Sequence, residues 1–203
     1  MSADRAARAI DVSGLPTTAF GHRSLMWWGT WGIIVIEGTM FGLLVAAYFY
    51  LRARVETWPP NLPNPVLRWG TLNTVILLLS CIPNQLAKSA SERFDLWATR
   101  LWLVVCLLFA AAFILVRASE FGSFFCRWDT NAYGSIVWAI LGFHTTHLIT
   151  DALDTGVLTV LMFVGPIEKK RFVDVAENAL YWYFVVFAWI PLYLVLYFAP
   201  RLL

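Results

Sequence analysis

Four side chains able to do acid–base or metal chemistry recur along one apolar stretch: His144, His147, Asp151 and Asp154, within AYGSIVWAILGFHTTHLITDALDTGVLTVLMFV at 132–164. Steps of three, four and three residues put all four on one face of a helix. Two imidazoles and two carboxylates suit zinc or iron if a neighbouring helix adds donors, and Glu37 and Glu177 are the obvious ones. The same types could instead pass protons, or hydrogen-bond to neighbouring helices as a packed polar seam. Di-metal helical bundles use repeated Glu-x-x-His pairs, and the sequence contains none; no metal site is expected. A bis-histidine haem needs ligands on opposite sides of the ring, which one helix face cannot give. His22, the third histidine, precedes the first apolar run. The chain therefore lacks ligands for redox chemistry of its own, and any electron-transfer core must be another subunit's. A stand-alone metalloenzyme built on the His144/His147/Asp151/Asp154 face stays open as an alternative.

The elements that must position these groups follow from composition. With 203 residues, 60% hydrophobic, 16% aromatic and 14% charged, and a mean hydropathy of +0.67, the chain belongs in a membrane. A formal charge of +2 without a long basic run gives no nucleic-acid footprint. Apolar runs long enough to span occur at 27–51, 69–87, 96–116, 132–164 and 176–199, so the expected fold is all-α, a bundle of five transmembrane helices over residues 26–203. Residues 1–25 read as an N-terminal cytoplasmic tail without a signal peptide. The proline-rich connection at 52–68 cannot be helical. Sorting cations by side gives nine inside (Arg5, Arg8, Arg23, Lys88, Arg93, Arg100, Lys169, Lys170, Arg171) and six outside (Arg52, Arg54, Arg68, Arg117, Arg127, Arg201) when the N-terminus is cytoplasmic and the C-terminus periplasmic. Trp27, Trp28, Trp58, Trp69, Trp97, Trp128 and Trp182 lie near the expected helix ends, as an aromatic belt requires.

Glu37 is the only acid in the first run and is flanked by Gly32, Gly38 and Gly42, small residues that let another helix approach. It reads as a carboxyl in a packed interface, a contact to lipid headgroup or water, or a proton-relay group. Glu120 reads as a solvated carboxylate beyond the third run, and Glu177 as an acid in the first turn of the fifth helix, favoured there by the helix dipole. Pro83 should kink or end helix 2, and Pro191 should bend helix 5. Cys81, Cys106 and Cys126 form no CxxC pair and read as packing residues.

The segment AYGSIVWAILGFHTTHL at 132–148 resembles the YGSxFFxxTGFHGLHV segment of haem-copper oxidase subunit III, the third subunit of cytochrome c oxidases. WWGTWGIIVIEGTMFGLLVAAYFYLR, carrying Glu37, resembles that family's helix with an intramembrane glutamate. LNTVILLLSCIPNQLAKSA resembles its LNTxxLLxSS helix, ASEF at 118–121 its loop glutamate, and ENALYWYFVVFAWIPLYLVLYF its closing ExAxWYWHFVDxVWLFLYxxIYW segment. The matches run in order over about 27–199, and five helices rather than seven resembles the shorter bacterial form. The resemblance implies a non-catalytic accessory subunit in a bacterial inner membrane. Such a subunit binds haem-copper subunit I and other oxidase subunits, holds phospholipid in a cleft and supports proton uptake, with haem and copper carried by its partners. By carry-over, Glu37 is the membrane-buried carboxyl, and His144, His147 and Glu177 are polar positions of the same bundle. Departures occur at Tyr183 and Val186, where the family has His and Asp, at Thr145 and Thr146 between the histidines, and at Asp151, where a small residue is usual. They admit a divergent branch, such as the subunit III-like protein associated with nitric oxide reductase.

Overall fold

In a computed structural model, residues 19–60 and 62–202 are described; most of the expected tail, residues 1–18, lies outside them. Among the described residues five helices are long and apolar enough to cross a membrane: α1 Leu25–Arg52, α2 Leu67–Glu92, α3 Leu96–Ser123, α4 Ala132–Val164 and α5 Lys169–Tyr193. The last continues through a π-helical stretch, Leu194–Phe198, into α6, Ala199–Leu202. Each central span agrees with its apolar run, because a lipid-facing backbone must satisfy its hydrogen bonds internally and only a helix does so within one segment.

The helix ends depart from the sequence expectation where polar residues are absorbed into helix. Pro83 does not stop α2, which runs to Glu92. α3 continues through Arg117 and Glu120 to Ser123, so neither lies in a loop. α5 opens at Lys169, so Lys169, Lys170 and Arg171 form its first turn and Glu177 lies more than two turns inside. The dipole reading of Glu177 is thereby corrected. Trp182 is 6% exposed and donates to Ser80 Oγ at 2.9 Å, so it holds α5 to α2 and is not a belt residue.

α2, α3, α4 and α5 pack around a core that contains Leu77, Phe113, Ile140, Leu141 and Trp189. α1 packs mainly on α4 and α5 through Phe41 and Tyr48, leaving Val35, Ile36 and Leu43 toward the acyl chains. Asp95 caps α3 by accepting from Ala98 N at 3.1 Å, and Asn131 caps α4 by accepting from Gly134 N at 2.8 Å.

Gly70 in α2 lets the phenol of Tyr197 lie against the helix backbone, and a Cβ added there would land on that ring. Tyr197 is 1% exposed and donates its hydroxyl to Glu120, so the ring cannot swing aside freely. Gly70→Ala should therefore cost about 1–3 kcal/mol of overpacking, read as a lower melting temperature of the detergent-solubilised chain. Gly42→Ala, where nothing lies within 4 Å, should leave it unchanged.

Candidate functional site

The four-residue stripe on α4 splits into two rows. At 3.6 residues per turn, positions 144 and 151 lie about 60° from 147 and 154 around the helix axis. His144 is 0% and Asp151 3% exposed, while His147 is partly buried and Asp154 exposed. Each row meets different partners.

His144 faces the centre of the bundle. Its Nε2 lies 3.1 Å from Val185 O and its Nδ1 3.3 Å from Arg117 Nη2. A carbonyl only accepts and a guanidinium only donates, so Nε2 carries the hydrogen, Nδ1 accepts, and the ring is neutral. Arg117 is 1% exposed and Glu120 0%, paired through Nη1 and Oε2 at 2.8 Å. Glu120 also accepts from Asn73 Nδ2 and from the Tyr197 hydroxyl. The Arg117 guanidinium lies 4.1 Å from the Trp189 ring centre, and Trp189 Nε1 donates to Thr74 Oγ1 at 2.8 Å. The solvated reading of Glu120 is thus overturned: four helices converge on one ion pair.

His147 faces α1. Its Nδ1 lies 2.6 Å from Phe143 O and its Nε2 3.3 Å from Glu37 Oε1. Tyr181 of α5 donates to Glu37 Oε2 at 2.7 Å, so Glu37 ties α1 to α4 and α5. The two histidines bond to different partners and not to each other. One and two turns further along α4, Asn178 Nδ2 bridges Asp151 Oδ1 at 3.0 Å and Asp154 Oδ2 at 3.1 Å, and Thr155 donates to Asn178 Oδ1 at 3.0 Å.

Glu37, Asp151, Asp154, Asn178 and Tyr181 line a cleft of about 610 Å³ between α1, α4 and α5. It extends from Met26 to Glu37 on α1, Leu161 to Thr150 on α4 and Lys170 to Tyr181 on α5, in each case roughly 16 Å at ~1.5 Å per residue. That is about half of a ~30 Å hydrocarbon core. Arg171 and Asp174 pair at 3.6 Å toward its rim, and Ile33, Val157 and Leu158 supply apolar wall. Two carboxylate oxygens here, Asp151 Oδ2 and Glu177 Oε2, are buried without a hydrogen-bond partner.

The metalloenzyme arrangement is not formed. Among the described residues no three His, Cys, Asp or Glu side chains are grouped to hold a metal ion, and both nitrogens of His144 and of His147 are already engaged. The three cysteines are free. The sequence reading missed Asn178, Tyr181 and the Arg117–Glu120 pair. The spacing i, i+3 of the last was the available signal, since it pairs opposite charges on a helix.

The comparisons with known proteins agree with this architecture. A family model described as cytochrome c oxidase subunit III matches residues 17–200. The chain is 30% identical to the cytochrome c oxidase subunit 3 of Thermostichus vulcanus, over 83% of this chain and 84% of that one. It is 28% identical to the probable cytochrome c oxidase subunit 3 of Mycobacterium tuberculosis (strain ATCC 25618 / H37Rv), over 94% and 98%. It is 25% identical to the cytochrome c oxidase subunit 3 of Synechocystis sp. (strain ATCC 27184 / PCC 6803 / Kazusa), over 87% and 77%.

Proposed function

The chain belongs to the cytochrome c oxidase subunit III family, and from that premise we propose that it is the accessory subunit III of a haem-copper oxidase. In this reading it flanks the catalytic subunit I in a bacterial inner membrane and supports its proton uptake. The observation that carries the reading is a family match over residues 17–200, in a bundle whose two intramembrane histidines are both fully committed to protein partners. In this reading haem and copper are carried by partner subunits, and the engagement of both imidazoles with protein groups supports it. Orientation with the N-terminus cytoplasmic and the C-terminus periplasmic is supported by the charge count. Arg117 lies inside α3 paired with Glu120 and drops out of the outer set, leaving nine cations against five.

Phospholipid binding belongs to the same proposal. The cleft combines apolar walls, among them Ile33 and Val157, with Lys170 and Arg171, cations that suit a phosphate while the wall takes an acyl chain. Purifying the tagged chain from its own membranes in mild detergent tests the assembly directly. A large haem-absorbing partner should co-purify in near-stoichiometric amount, and its absence would overturn the reading.

A further inference from the structure

The short connection between α2 and α3 turns on a residue that its own backbone geometry disfavours. Asp95 N bonds to Ala90 O and Phe94 N to Ser91 O, each at 3.0 Å, the paired closure of a Schellman cap at the end of α2. In that motif the residue after the cap is left-handed and is usually glycine. Here it is Phe94, at φ +56°, the one non-glycine residue with positive φ among those described. A Cβ in this conformation crowds the following carbonyl oxygen, and a bulky side chain is held there only when its surroundings compensate. Glycine would close the same turn without strain, so the reason for phenylalanine lies in what its ring touches.

The ring stands between two others. Phe20, from the segment before α1, meets it with ring centres 5.6 Å apart and planes at 62°. Phe172, from the first turns of α5, meets it at 5.3 Å and 73°. Both are attractive edge-to-face arrangements. Lys169 Nζ, one turn before Phe172, lies 6.0 Å from the Phe94 ring centre, at the outer limit of a cation–π contact. Phe20 also packs against the cluster of Leu103, Met162, Phe172 and Val175.

Phe20 is in turn tied to α1. The chain reverses at Gly21, whose φ of +65° a glycine bears freely. Ser24 N closes that turn on Gly21 O at 2.8 Å, and Trp28 Nε1 donates to His22 O at 3.0 Å. The start of α1 has little else to hold it. The buried residues of the helix, Phe41 and Tyr48, lie in its C-terminal half, Glu37 makes its interhelical bonds near mid-length, and no residue from Leu25 to Ile36 is buried. That stretch is about 18 Å of helix, and through Met26, Thr30 and Ile33 it forms the α1 wall of the cleft.

We infer that Phe94 is the post of an aromatic latch. Phe20 on one side of it and Phe172 on the other join the N-terminal half of α1 to the start of α5, and the latch thereby fixes the width of the cleft at its rim. The left-handed backbone at residue 94 is the cost of aiming the ring at both.

The test uses the full detergent-solubilised chain and two readouts. Phe94→Gly removes the ring and relaxes the turn, so the variant folds. Phe20→Ala should lower the melting temperature of the otherwise unaltered chain by about 2–4 °C, the shift expected for the loss of a ring pair in a chain of this size. In the Phe94→Gly background the same substitution should lower it by less than about half as much, because the contact it removes is already gone. The second readout is the distance distribution between spin labels on Met26→Cys and Lys170→Cys, which face each other across the cleft rim, with Cys81, Cys106 and Cys126 changed to alanine. It should be narrow with the latch intact and broaden toward longer distances in Phe20→Ala and in Phe94→Gly. An equal effect of Phe20→Ala in both backgrounds, or a distribution that neither variant broadens, would overturn the inference. No readout involves a partner subunit or a bound lipid, so the outcome is separate from that of the function proposed above.

Discussion

Glu120→Ala should prevent the chain from accumulating as a folded bundle. The substitution leaves the Arg117 guanidinium 1% exposed with its carboxylate partner gone, and removing one member of a buried pair costs about 3–5 kcal/mol because the remaining charge stays desolvated. The loss spreads further, since Asn73 and Tyr197 also give their hydrogens to Glu120. The measurement is the melting temperature and yield of detergent-solubilised protein. Replacing both charges, Arg117→Met with Glu120→Met, should recover a large part of the loss, because no unpaired charge remains and a hydrophobic pair of similar volume is often tolerated. A double variant as damaged as Glu120→Ala would show that the cluster acts through shape and not through charge.

Glu37→Lys should break assembly, while Glu37→Gln should keep it and alter proton-linked turnover of the complex. Glutamine preserves the volume and can still accept from Tyr181, whose hydroxyl lies 2.7 Å from Glu37 Oε2. Lysine offers no acceptor to Tyr181 and brings a charge at membrane depth worth roughly 2.5–3.5 kcal/mol on insertion scales. Among the described residues α1 packs mainly on α4 and α5, so losing this three-helix tie should release it. The check is retention of the co-purifying haem partner through size-exclusion chromatography. Normal retention of the lysine variant would mean that residue 37 faces water or headgroups.

The transmembrane spans were legible because a run of apolar residues has only one way to satisfy its backbone in lipid. Their ends were not, because the reading equated charge with water. Arg117 and Glu120 look like loop residues in a linear sequence, yet they neutralise each other on adjacent turns of α3 and are buried. Lys169, Lys170 and Arg171 look like a connection, but a helix can begin with charged residues before its apolar run, and α5 opens at Lys169 with Lys169 and Lys170 exposed. Of the small residues flanking Glu37, a Cβ at Gly38 would lie 3.7 Å from Phe184 of α5, while Gly32 and Gly42 have nothing within 4 Å, so Glu37 is held by its bond to Tyr181 and not by a glycine seam. The partners of Asp151 could not be read, because Asn178 reaches it from 27 positions away, and no periodicity within α4 carries that information.

The π-helical stretch Leu194–Phe198 gives the C-terminal end of α5 its own azimuth. One residue too many for the α-helical turn rotates all that follows by about 100° relative to an uninterrupted helix. Trp189, upstream of that step, stacks on the Arg117 guanidinium, and Tyr197, within it, reaches the Glu120 carboxylate. The two members of the ion pair are thus gripped by two differently phased parts of a single rod. Related chains lacking the extra residue would have to find another hydroxyl for the acid, on a neighbouring helix or in trapped solvent. The wide turn is for this reason the segment in which length variation among relatives should be least tolerated.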